Sequence, residues 1–317
     1  MEELKSLRLV TAIKTPYEHN GKIDLDTYDN MVNMQIEKGV QGILVGGTAG
    51  EDGVMTLSGL YSLVSHIRRS FGNKIKIIGY VGWKPTSDNR ISFCNDMDAA
   101  MYINPYPHND NVSSDDRLIV HYDRLLSMGP GIIYRNQHNT STIGLPMRVV
   151  EELSENPNFV GIKENKRGNI LTYASKGIHA WTGKDEESHK TIWEYGATGV
   201  YSIAGNLVPG LMKELLFEGM NPSLNLKLKP LFDWLFDMSG WSVMNISTLF
   251  HNPLNTALAQ LGVIKPVFRR PHVPVSVEKR REFVDLVEQI GRDNFVGEKD
   301  VRVLDQRDFI TYYEEIY

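Results

Sequence analysis

Over roughly its first 220 residues the chain alternates short apolar runs with amphipathic segments eight times, and no other feature restricts the fold as strongly. The apolar runs predict strands at Val10–Ile13, Gly42–Gly46, Ile75–Gly79, Ala99–Ile103, Gly131–Tyr134, Phe159–Lys163, Ile178–Thr182 and Gly199–Ile203. Between them, Leu25, Tyr28, Met31, Val32 and Ile36 mark one face of a helix over Asp24–Lys38, with Gly39 as its stop. Further helices are expected from about Leu57 to Ser70, and at Asp115–Ser127, Met147–Leu153, Glu186–Tyr195 and Pro209–Phe217. Eight strands, each followed by a helix through a right-handed crossover, close into a parallel (β/α)8 TIM barrel. A doubly wound open sheet is the weaker reading, since no Gly-x-Gly-x-x-Gly follows the first strand and no Walker pattern occurs. Residues 1–217 therefore read as the barrel. Residues 218–317 read as a C-terminal helical region packed on it, with helices near Leu224–Phe236, Asn255–Leu261 and Val277–Ile290.

Composition removes several classes of function. With 317 residues, 41% hydrophobic and 23% charged, the chain can bury a large core. Its net charge of -5 comes without a basic stripe, which argues against nucleic acid as a partner. The single cysteine, Cys94, allows no internal disulfide and no structural zinc site by itself, so a reducing compartment fits and no metal is expected. No run of about 18 apolar residues exists to span a membrane. A plastid location is expected if a transit peptide has been removed, and the cytoplasm otherwise.

In a TIM barrel the active site lies at the C-terminal ends of the strands, and Thr48, Tyr106, Tyr134, Lys163 and Tyr201 all fall at or near such ends. Lys163 is the most informative of them. Burial at the end of Phe159–Lys163 would strip water from its ammonium, lower its pKa and free the lone pair to attack a carbonyl. From this segment alone the plainer reading is preferred, a lysine emerging into solvent or pairing with Glu164. The nearby tyrosine at the end of Gly131–Tyr134 and the turn Gly46-Gly-Thr-Ala-Gly-Glu51 reverse that preference. Together they could supply an amine, a hydroxyl relay and donors for a carboxylate, which is what class I aldol chemistry needs.

The chain also resembles, along nearly its whole length, the family of dihydrodipicolinate synthases (in their plant form), N-acetylneuraminate lyase and related pyruvate aldolases. The resemblance is carried by Val10-Thr-Ala-Ile-Lys-Thr-Pro-Tyr17, Val45-Gly-Gly-Thr48, Ile103-Asn-Pro-Tyr106, Gly161-Ile-Lys-Glu164 and Tyr195-Gly-Ala-Thr-Gly-Val200. Asn206-Leu-Val-Pro-Gly-Leu-Met212, Leu254 to Gly262 and Asp293 to Asp300 match as well. It implies a homodimer or homotetramer, a small carbonyl substrate and no cofactor. It also implies Lys163 as the imine-forming lysine, Tyr134 as the proton-transfer tyrosine and Thr48 as its relay partner, with Gly47, Ala49, Tyr106, Arg135, Asn139 and Tyr201 around the substrate.

Several positions depart from the family pattern. Ala49 replaces a threonine that donates to the pyruvate carboxylate, and Pro107 replaces an interface tyrosine. Asn139 stands where an arginine grips the aldehyde's carboxylate, unless Arg135 takes over that task. Leu57, Leu60, Lys84 and Asp88 fall where plant relatives bind the feedback inhibitor lysine, so its control is expected to be lost. Segment 238–253 replaces a short loop and reads either as a lid or as a tolerated insertion. These changes favour a Schiff-base enzyme with a rebuilt pocket for a changed carbonyl or imine substrate in specialised metabolism. The alternatives are a standard 4-hydroxy-tetrahydrodipicolinate synthase of lysine biosynthesis and a catalytically weak assembly or binding paralogue.

Overall fold

The computed structural model describes residues 1–51, 55–82, 95–103, 115–135, 145–236, 252–270, 272–298 and 300–312. A short helix α1 (Glu2–Lys5) precedes the barrel strands β1 (Leu9–Ala12), β2 (Gly42–Val45), β3 (Lys76–Gly82) and β4 (Ala99–Ile103). They are followed by β5 (Gly131–Tyr134), β6 (Phe159–Lys163), β7 (Ala180–Thr182) and β8 (Gly199–Ser202). The eight form a closed barrel in sequence order, parallel throughout. The seam closes by pairing β1 with β8, Leu9 against Val200, Val10 against Tyr201 and Thr11 against Ser202.

Around the barrel run α2 (Leu25–Glu37), α3 (Leu57–Phe71), α4 (Asp115–Leu126), α5 (Met147–Ser154), α6 (Arg167–Ser175), α7 (Asp185–Tyr195) and α8 (Pro209–Phe217). Local chemistry sets their starts. Asp24 accepts the Thr27 N–H at 3.0 Å and caps α2, and Thr56 accepts the Gly59 N–H at 3.1 Å to cap α3. The buried face of α2 carries Tyr28, Met31, Val32 and one polar residue, Gln35. Gln35 is bonded at both ends of its amide, accepting from Thr11 Oγ1 at 2.6 Å and donating to the Gly205 carbonyl at 3.0 Å. Strands β1, β2, β4 and β6 are buried at every position, as strands covered on both faces must be.

Beyond Phe217 the chain adds α9 (Pro222–Phe236), α10 (Asn252–Gln260), β9 (Val267–Arg269), α11 (Val277–Ile290) and β10 (Ile310–Tyr312). Trp234 of α9 packs 4.8 Å from the Phe283 ring of α11 and donates its indole N–H to the Lys279 carbonyl at 3.0 Å. Two expectations need correction. The strand expected over Ile178–Thr182 spans Ala180–Thr182, and β3 runs on to Gly82 rather than ending at Gly79. A helix was expected after each strand, but the bounds of α6 and the parallel pair β9–β10 were not foreseen. Segment 238–253 lies outside the described residues except for its last two, which begin α10. Residues 95–98 are turn and bend.

Candidate active site

Lys163 is the last residue of β6, with Tyr134 beside it on β5 and Trp181 beside it on β7. Its carbonyl accepts the Arg135 N–H at 2.9 Å, which leaves the side chain to enter the barrel mouth. There the Nζ atom lies 4.2 Å from the centroid of the Tyr134 ring and 5.5 Å from that of Tyr201. The residue is 9% exposed. Burial draws the ammonium down from its ordinary 10.5 to about 8, and only the Asp185 charge opposes the shift. A lysine in this state holds a usable neutral fraction at physiological pH.

The pairing of Lys163 with Glu164 that the segment alone allowed is not made. Glu164 turns away and is buried, with its carboxylate saturated by other donors. Oε1 accepts the Asn165 and Lys166 N–H groups at 2.7 and 2.9 Å, and Oε2 accepts Asn169 Nδ2 at 2.7 Å and Arg135 Nη1 at 2.6 Å. Arg135 is thus committed to an ion pair at the entry to α6.

Tyr201 sits within β8, 1% exposed, and its hydroxyl meets no hydrogen-bond partner among the described residues. Burial pushes the phenol pKa well up, so it stays protonated as a donor. Trp181 packs edge-on against it at 6.2 Å and anchors that contact by donating its indole N–H to the Leu7 carbonyl at 2.6 Å.

Across the mouth, the turn after β2 runs from Gly46 (φ 67°) to Glu51 (φ 64°). Gly46 has to be glycine twice over, because its φ is left-handed and a Cβ would lie 2.5 Å from Leu60 Cδ1. Leu60, one of the positions read against lysine feedback, is accordingly a core residue. Gly47 and Ala49 are buried and Thr48 is half-buried. The N–H groups of Gly47, Thr48, Ala49 and Gly50 find no acceptor among the described residues, an arrangement suited to a carboxylate. Tyr106, Pro107, Asn139, Lys84 and Asp88 lie outside the described residues.

Three neighbours of Lys163 escaped the sequence reading. Gly183, one residue past β7, leaves the space the lysine occupies, since a Cβ there would lie 2.6 Å from Lys163 Cε. Asn165 accepts the Gly183 N–H at 2.9 Å and ties the β6 and β7 loops together. Asp185, fully buried at the start of α7, accepts the Ile203 and Ala204 N–H groups through Oδ2, each at 2.8 Å. Its other oxygen has no partner among the described residues, and burial raises its pKa. The available signal was Gly183-Lys-Asp-Glu-Glu187, a glycine and an acid directly after a barrel strand.

Comparison with known proteins then assigns the lineage. The profile of the Dihydrodipicolinate synthetase family matches residues 5–290. The chain belongs to this family. It is 48% identical over 317 residues to the chloroplastic 4-hydroxy-tetrahydrodipicolinate synthase of Glycine max, covering 97% of this chain and 90% of that protein. The Nicotiana tabacum counterpart is 46% identical over 320 residues, 98% of this chain and 84% of its own length. Among solved structures, the 4-hydroxy-tetrahydrodipicolinate synthase of Methylacidiphilum fumariolicum SolV superposes with a TM-score of 0.76 over 91% of this chain and 96% of its own. At 23% identity that likeness speaks for the fold. As a member of the family the chain is an enzyme of lyase or synthase type.

Proposed function

We propose that Lys163 is the Schiff-base nucleophile of a class I synthase or lyase acting on a small 2-oxo or aldehyde compound. The observation that carries this reading is the buried amine between the Tyr134 and Tyr201 rings with its pKa drawn to about 8. The neutral amine adds to the carbonyl carbon, and the resulting carbinolamine loses its oxygen as water to leave the imine. Tyr134, with Thr48 as relay, moves the protons these steps require. The N–H groups of residues 47–50 hold the substrate carboxylate, to which Ala49 contributes no hydroxyl.

We further infer a second substrate other than aspartate semialdehyde, which suits specialised metabolism. Arg135, the side chain expected to take over the family's arginine grip at Asn139, is held by Glu164 and so is committed elsewhere. Such a grip is worth roughly 2–5 kcal/mol, on the order of 30- to 4000-fold in rate. The standard lysine-pathway reading is favoured by one observation, the 46% and 48% identity to two chloroplastic synthases. Those relatives also support a plastid location, and the family resemblance supports a homodimer or homotetramer. A purely assembling paralogue is disfavoured, because it has no use for a buried reactive amine.

Two measurements test the proposal. Borohydride added with pyruvate or an aldehyde panel should add mass on Lys163, and Lys163→Ala should escape labelling; label confined to surface lysines would sink the imine reading. In a coupled assay with the downstream reductase, pyruvate plus aspartate semialdehyde should turn over at least about 300-fold more slowly than with a plant synthase. A rate within about tenfold would return the chain to ordinary lysine biosynthesis.

A further inference from the structure

The turn that carries Thr48 is gripped from behind by buried charges. Glu51, which closes the turn by donating its N–H to the Thr48 carbonyl at 3.1 Å, is the one non-glycine residue at positive φ among the described residues. A side chain persists in that conformation only where its surroundings over-determine it, and such places cluster at functional sites. Here the surroundings are specific. The Glu51 carboxylate is buried 2.9 Å from the equally buried Lys14 Nζ and accepts Asn255 Nδ2 at 2.6 Å.

Lys14 is fixed in turn by the end of the barrel. Its N–H donates to Asn206 Oδ1 at 3.0 Å, and its ammonium also donates to the Thr15 carbonyl. The ammonium lies 4.9 Å from the Tyr17 ring, which the Arg269 guanidinium approaches at 4.8 Å. Asn255 belongs to α10 and Arg269 to β9, so two elements of the C-terminal region reach the turn's anchor. The turn is tightly seated as well: a Cβ on Gly50 would lie 3.1 Å from the Gly46 nitrogen and 3.2 Å from the Ile13 carbonyl oxygen.

We propose that Glu51, held by Lys14 and Asn255, is a positioning residue for Thr48 and for the N–H groups of residues 47–50, so that the C-terminal region sets the geometry of the substrate site. The inference rests on the Lys163 reading for its kinetic consequence and stands apart from it structurally.

Three full-length variants separate positioning from mere stability. Glu51→Gly tolerates the left-handed backbone, removes the carboxylate with the rest of the side chain and leaves Lys14 buried without that partner. Lys14→Met/Glu51→Gly removes both buried charges together, leaves neither unpaired and keeps the left-handed backbone unstrained. Asn255→Ala cuts the direct bond from α10 to Glu51 and leaves the ion pair. With pyruvate and borohydride, each should reach the wild-type extent of Lys163 labelling about 10- to 100-fold more slowly, at a higher half-saturating pyruvate concentration. Amide hydrogen exchange needs no substrate. At positions 51 and 55, whose N–H groups close the turn on the carbonyls of residues 48 and 51 at 3.1 Å each, it should speed up in the same variants while thermal unfolding of the double variant stays near wild type. Wild-type labelling rates in Glu51→Gly, recovery of rate together with stability in the double variant, or unchanged exchange in the turn would each overturn the proposal. Absence of label on wild-type Lys163 would instead count against the Schiff-base reading, and the exchange measurement would still decide this one.

Discussion

At the scale of the residue, the pKa of Lys163 makes a prediction about pH. At pH 7 an amine of pKa about 8 is neutral in roughly one molecule in ten, against about three in ten thousand for an unperturbed lysine. The rate of borohydride-trapped imine formation should therefore climb with pH, pass its midpoint near 8 and level off about a unit above it. Asp185 pulls in the other direction, since its charge favours the ammonium. Asp185→Asn should move the midpoint to lower pH while its side-chain oxygen still accepts the Ile203 and Ala204 N–H groups. A midpoint near 10.5 in the wild type would show that the amine is not desolvated. Stability follows the same sign. The folded state releases the proton near pH 8 and the unfolded chain nearer 10.5, so the unfolded chain binds more protons in that window. Lys163 thus makes stability rise with pH between the two values.

Among the elements, the loops after β6 and β7 decide where the amine points. Gly183→Ala would place a Cβ 2.6 Å from Lys163 Cε and 3.0 Å from Asn165 Oδ1. The lysine end can give way, but it would do so by moving Nζ between the two phenol rings. We expect imine formation to fall on the order of 100-fold, as a displacement near 1 Å typically costs, with little change in unfolding temperature; a wild-type trapping rate would show that Gly183 does not set the lysine's position. The run Gly183 to Glu187 marked only the end of a barrel strand, and the roles of Gly183 and Asp185 could not be read from it because they depend on loops meeting across the barrel. The strands were legible because barrel strands are continuous apolar runs, and Lys163 and Tyr134 because they end two of them. Helix α6 was hidden because only Ile170 and Tyr173 of its nine residues are buried, which leaves no periodic apolar face. Strands β9 and β10, three residues each, are too short to show a period. The Lys14–Glu51 pair escaped for a different reason, since partners 37 positions apart leave no local pattern.

For the whole molecule, the barrel closes where its first and last strands meet over three register pairs. Side chains reinforce that seam from both faces. Gln35 links Thr11 of β1 to the Gly205 carbonyl just past β8, and Asn206 bridges the Ala12 and Ile203 carbonyls, each at 2.9 Å. At the opposite end, Trp181 of β7 is fully buried and donates to the Leu7 carbonyl immediately before β1. Trp181→Phe removes that donor, leaves the Leu7 carbonyl without it and opens space beneath Tyr201. The two losses together should cost roughly 2–4 kcal/mol. The urea midpoint should fall accordingly with little change in the slope of the transition, because the surface exposed on unfolding is nearly the same. Because the same indole packs against Tyr201 under the Lys163 amine, trapping by pyruvate should slow in parallel. An unchanged urea midpoint would mean that the indole adds nothing to what Gln35, Asn206 and the strand pairing already supply at the closure.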